Sequence, residues 1–219
     1  MLDNPKTIWT LLAELAKHQN DLGSMANSER AKRVKQAISN QFAPIPHQLL
    51  EIATEENLSP FPPATYLHLP PDEKGGQPVL RASFEEKEEH KVFRIRAAIF
   101  VEAEDENFQK VNRGIGIRFE SPEGPQGESN HDYYHAQWFS SFEKDHHQLP
   151  GCPSWLPDVH PAIPLDAKCA VDVLCCALKS FYGSRKSAPL KWLADKAISR
   201  DGTLHPEAKQ RIGRWVSET

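Results

Sequence analysis

Phe93-Arg94-Ile95-Arg96-Ala97-Ala98-Ile99-Phe100-Val101-Glu102 is the stretch whose reading decides the fold. Phe93, Ile95, Ala97, Ile99 and Val101 alternate with Arg94, Arg96, Ala98, Phe100 and Glu102. A period of two sends the first set to one face of a strand and the second set to the other. Ile115, Ile117 and Phe119 alternate in the same way with Gly114, Gly116, Arg118 and Glu120. Val79–Phe84 supplies a further strand, joined through the charged run Glu85–Lys91. Glu104-Asp105-Glu106-Asn107 and Glu123-Gly124-Pro125-Gln126-Gly127 carry turn chemistry. The reading is an antiparallel meander of at least three strands spanning Val79 to about Phe119.

On the N-terminal side the period changes. Residues 59–78 hold six prolines, at positions 60, 62, 63, 70, 71 and 78. Proline fixes φ and lacks a donor, so 59–78 reads as an extended connector in which Tyr66, Leu67 and Leu69 form at most a short edge strand. Residues 1–58 read as a helical segment. Asn4 suits an N-cap and Pro5 a first helical position, with Ile8, Leu11, Leu12 and Leu15 on one face and Gly23 ending the unit. A second helix runs from Ser28 to about Phe42 on Ala31, Val34, Ile38 and Phe42, with basic residues opposite, and a shorter one follows Pro46.

On the C-terminal side helix returns. Pro164 opens a mostly apolar segment through Leu165, Cys169, Val173, Leu174, Cys176, Leu178 and Phe181, which Gly183 closes. Ser187–Ile198 and Pro206–Val216 complete the tail, so that 79–219 forms a sheet with helices packed on its apolar face. The fold class expected is therefore α+β, a central antiparallel sheet flanked by N-terminal and C-terminal helices.

Bulk properties narrow the function classes. The 219 residues are 39% hydrophobic and 26% charged, the profile of a globular chain. No apolar run approaches a membrane span, and the first residues lack the basic start and apolar core of a signal peptide, so a cytoplasmic location without membrane contact is expected. Cys169, Cys175 and Cys176 fall in one helix and read as buried thiols. Residues 51–89 carry nine acids against three bases, and residues 179–214 nine bases against three acids. A basic C-terminal surface, including Lys186 and Lys191, is able to meet an acidic partner or dock on the chain's own acidic region.

Two constellations carry chemistry. His131-Asp132-Tyr133-Tyr134-His135 packs two imidazoles, a carboxylate and two phenols together, with His146, His147, Cys152 and His160 downstream. On a helix His131 and His135 share a face and chelate one ion; on a strand they lie about 13 Å apart, too far for that. The aromatic residues favour a strand. His131, His135 and Cys152 are candidate ligands of a divalent metal, and His131, Asp132 and His135 candidate catalytic groups, while a hydrogen-bonded structural role competes with both. The second constellation is Arg94, Arg96 and Arg118, which leave the sheet on one face as a candidate anion site, unless Glu85, Glu102 or Glu120 neutralise them. No zinc-finger spacing, no His-Glu-x-x-His, no phosphate-binding or dinucleotide glycine loop and no Gly-x-Ser-x-Gly elbow occurs.

The leading functional expectation is a non-enzymatic binding or accessory protein. It contacts an acidic macromolecular partner, protein or nucleic acid, within a cytoplasmic assembly. The alternative is a hydrolase, metal-dependent or not, acting on a phosphate ester or nucleic acid through the 131–135 cluster.

Overall fold

Asn4 opens the first helix as its residue type predicts: its Oδ1 accepts from the Lys6 amide at 2.8 Å, and Pro5 takes the first helical position. The computed structural model describes residues 2–17, 29–72, 75–87, 90–107, 109–123, 133–139, 142, 149, 162–182, 188–199 and 206–217. In chain order the elements are α1 (Pro5–Lys17), α2 (Glu29–Ser39), β1 (Ala43–Pro44), α3 (His47–Glu51), β2 (Thr65–His68), β3 (Gln77–Lys87), β4 (His90–Glu104), β5 (Lys110–Glu120), β6 (His135–Phe139), β7 (Ile163–Pro164), α4 (Ala170–Tyr182), α5 (Ala188–Ser199) and α6 (Pro206–Ser217). The class is α+β, with helices towards both termini.

Among the described residues one seven-stranded sheet runs in the order β1 to β7, parallel between β1 and β2 and antiparallel elsewhere. Residues 59–78 are more than a connector, because β2 lies inside the sheet between β1 and β3. The helix expected from Pro164 begins only at Ala170, since Ile163 and Pro164 pair with β6. Residues 135–139 are a strand, as their aromatic content favours.

Phe93, Ile95 and Ala97 of β4 face the main core. Leu80, Ala82, Phe84, Phe93, Ile95, Ala97 and Phe119 pack there against Ile8, Leu11, Leu12 and Leu15 of α1 and Val171, Leu174, Cys175 and Leu178 of α4. The N-terminal helix and the C-terminal helices therefore share one core. The opposite face is half apolar as well. Val79, Ala98 and Phe100 lie under Val34 and Ile38 of α2, joined by Phe42, Tyr66, Phe142 and Leu149. Phe42 sits 4.8 Å from Phe100 and 5.1 Å from Tyr66 between ring centroids, within the range of favourable aromatic contact. Gly114 and Gly116 leave the room this requires: a Cβ on Gly114 would lie 2.7 Å from the Phe100 ring, and one on Gly116 2.7 Å from both Phe139 and Leu149.

Candidate functional site

Register assigns neighbours that periodicity alone does not. On the α2-covered face, Ser83, Arg94, Glu120 and His135 form one cross-strand row. Arg81, Arg96, Arg118 and Gln137 form the next. The expected trio therefore does share a face, and Arg81, invisible as a partner until β3 is placed in register, extends it.

The first row is a buried ion network. Arg94 is 8% exposed and reaches three carboxylates: its Nε donates to Glu120, its Nη1 to Glu85 and its Nη2 to Glu123 at 2.7 Å. Glu120, 1% exposed, also meets Arg118 Nε at 2.9 Å and His135 Nε2 at 3.1 Å. His135 is fully buried, with Nδ1 against the Tyr133 carbonyl at 2.8 Å. Since both ring nitrogens face acceptors, the arrangement suits imidazolium. Burial pushes the Glu120 carboxyl up, but the His135 hydrogen bond and the Arg94 and Arg118 charges outweigh it and hold it at about 2. Burial alone would lower the His135 pKa; Glu120 and the Tyr133 carbonyl reverse this and raise it above 6.5.

This chemistry is that of a tie rather than a reacting group. A carboxylate held near pKa 2 is a feeble base, and an imidazolium that donates to it has no lone pair to offer. Arg94, a candidate for an anion site unless Glu85, Glu102 or Glu120 neutralise it, is turned inward on Glu85, Glu120 and Glu123. Arg118 shares Glu120 and donates to Gln137 at 2.5 Å. Arg96 is half-buried, and Arg81 donates to the Phe61 carbonyl at 3.2 Å. His131, Asp132, Cys152, Lys186 and the downstream His146, His147 and His160 lie outside the described residues. Among the described residues no group of three or more His, Cys, Asp and Glu side chains is placed to hold a metal ion, and no helix is long and apolar enough to cross a membrane.

The expected thiols Cys169, Cys175 and Cys176 are buried, and burial pushes the Cys169 and Cys176 pKa values up to about 12, which leaves them unreactive near neutrality. Asp172 of α4, 2% exposed, accepts from the Trp215 indole at 2.8 Å and Arg211 at 3.3 Å, fastening α6. His68 donates from Nε2 to the Phe42 carbonyl at 2.5 Å; burial lowers its pKa against the opposing pull of that carbonyl, keeping it neutral.

The accessible charge lies elsewhere, at the far end of β4. Arg33 of α2 grips the Glu102 carboxylate through Nε at 2.9 Å and Nη2 at 3.0 Å. Arg30 donates to the Glu102 carbonyl, and Lys110 Nζ lies 3.6 Å from the carboxylate. Lys32 and Lys35 are exposed on the same helix, and Arg113 is exposed on β5; Lys191 is exposed on α5. The basic stripe of α2 is readable at helical spacing, since Ala31, Val34 and Ile38 take the buried face. Its meeting with Lys110 depends on the hairpin register. On the opposite face of the sheet Ile115 and Trp138 are 49% and 39% exposed.

No protein-family profile matches this chain, and comparison with curated proteins and with solved structures gave no match.

Proposed function

We propose that this chain is a non-enzymatic binding or accessory protein that contacts an acidic macromolecular partner within a cytoplasmic assembly. One observation carries the reading: Arg30, Arg33 and Lys110 converge on the single carboxylate-bearing residue Glu102, with Lys32 and Lys35 exposed beside them. On α2 itself Arg30, Lys32, Arg33 and Lys35 outnumber Glu29, and Glu102 pairs only Arg33 of them through its carboxylate, so a positive field extends from that helix face and attracts acidic chains. The buried network supports the same reading from the opposite side, because its imidazole and carboxylate are committed to each other.

A polypeptide partner is favoured over a nucleic acid. Glu29, Glu102 and Glu104 interrupt the basic surface, which would repel a continuous phosphate backbone but suits a segment with spaced acids.

Titration of the protein with fluorescently labelled polyglutamate, at rising salt, tests this. Binding is expected to weaken steadily as salt screens exposed charge. The double variant Arg30→Glu, Lys35→Glu is expected to bind at least about tenfold more weakly. Polyglutamate affinity untouched by salt or by the double variant would refute the proposal, and tighter binding of single-stranded DNA would shift the partner class.

A further inference from the structure

We propose that His68 is an acid-operated latch on α2: the neutral imidazole ties the end of that helix to β2, and a proton on its second nitrogen drives the ring from its seat. The latch goes beyond the reading of an acidic partner given above and stands without it. On that reading, release also unseats the basic stripe.

The tie is built where α2 hands over to the sheet. The last turn of α2 closes on Ile38, whose carbonyl accepts from the Gln41 amide at 3.0 Å and the Phe42 amide at 2.7 Å. The Phe42 carbonyl in turn accepts from His68 Nε2 at 2.5 Å, so the imidazole fastens this turn to β2. His68 is 1% exposed and pairs across strands with Val79, which packs in the apolar cluster of Val34, Ile38 and Phe42.

Because Nε2 carries the proton, Nδ1 is the bare nitrogen, and among the described residues it has no hydrogen-bond partner. A bare acceptor there is a modest cost. An N–H bearing a full charge is a far larger one, and it is relieved only when the ring reaches water.

The surroundings offer that charge no counterion among the described residues. Lys35 faces the ring from α2 and opposes a second positive charge. Gln77 and Arg81 flank Val79 on β3, with Arg96 and Ala98 beyond them on β4. Tyr66 shares the face on β2, and β1 brings only Ala43 and Pro44. Asp72 accepts from the Gly76 amide and lies by Ile99 on the other face of the sheet, while Glu102 is gripped by Arg33.

His135 is the contrasting case, buried as deeply but set against Glu120. Burial without a carboxylate lowers the His68 pKa below 6.5, where Glu120 raises that of His135. The sign follows. A released His68 ring takes its proton from about 6.5 downward and a seated one only at lower pH, so the seated state loses ground as pH falls through 6.5.

Hydrogen exchange of α2 peptides in the full chain, corrected for the pH dependence of the exchange chemistry itself, tests this at pH 7.5 and 5.5 against His68→Gln. Glutamine keeps an N–H for the Phe42 carbonyl but takes no proton. The comparison also cancels the titration of His135, which acts in the opposite direction. On acidification the ratio of α2 opening constants, natural chain over variant, is expected to rise several-fold, up to about tenfold. A ratio that stays constant overturns the latch. Should the variant not fold, NMR titration of the His68 ring in the natural chain decides. A midpoint below 6.5 is expected, and one at or above 6.5 overturns the latch.

Discussion

Glu120 accepts from an imidazole and meets two guanidinium groups in a site from which solvent is excluded. Removing one member of a buried ion cluster strands the others, which costs far more than loss of a surface pair. Glu120→Gln is expected to lower the unfolding free energy by about 3–5 kcal/mol, read from urea denaturation; a change below about 1 kcal/mol would mean that Arg94 and His135 are solvated after all. The same residues give stability a pH signature. Glu120 titrates below its ordinary 4.5, so its contribution is present above that value and is lost as pH falls through about 2. His135 titrates above 6.5, so its contribution is complete below 6.5 and is lost as pH rises through the raised value. In a His68→Gln background, which removes the opposing titration of that buried imidazole, the urea midpoint should therefore decline on both sides of a plateau between about 4.5 and 6.5. His135→Gln should remove its alkaline share of the decline while the acid limb persists. An unchanged alkaline limb in that variant would exclude His135 as its source.

At the scale of elements, β5 shows how a strand serves two faces with unequal side chains. Its core-facing residues are large, while Gly114 and Gly116 opposite let Phe100, Phe139 and Leu149 lie close to the backbone. Gly116→Val forces a Cβ into atoms 2.7 Å away and is expected to destabilise by about 1–3 kcal/mol in thermal or urea unfolding. A neutral outcome would mean that the Phe139 and Leu149 side chains move aside without loss. This packing also marks where reading the chain stops. Period two located β3, β4 and β5, and Asn4-Pro5 located the start of α1, because those signals are local. Ala98 and Phe100 read only as the face opposite the core, since Phe42, Tyr66 and Phe142, which cover them, come from distant segments. Pro164 suits a helix start by residue type, yet pairing of Ile163 and Pro164 with β6 decides its state. Among the site residues, the shared face of Arg94, Arg96 and Arg118 was legible. The role of Glu120 as their hub, and the entry of Arg81 into the row, needed the register of three strands.

For the whole molecule, one sheet separates two apolar clusters: α1 and α4 close one face, α2 and the Phe42 cluster the other. Neither side is independent, because β3 and β4 supply residues to both in strict alternation, and a strand cannot lose order on one face alone. Damage to the smaller cluster should therefore be felt across the sheet. Phe42 is fully buried against three aromatic rings, and Phe42→Ala removes those contacts and leaves a cavity, at an expected cost of about 3–5 kcal/mol. Hydrogen exchange followed by mass spectrometry distinguishes a local from a global consequence. If the faces unfold as one unit, peptides from α4 lose protection by the same factor as peptides from α2, because both exchange through the same opening. Loss confined to α2, with α4 unchanged, would show that the α2 face opens by itself. The basic corner around Glu102 would then belong to a separately mobile layer, and its charge would meet a partner without a fixed geometry.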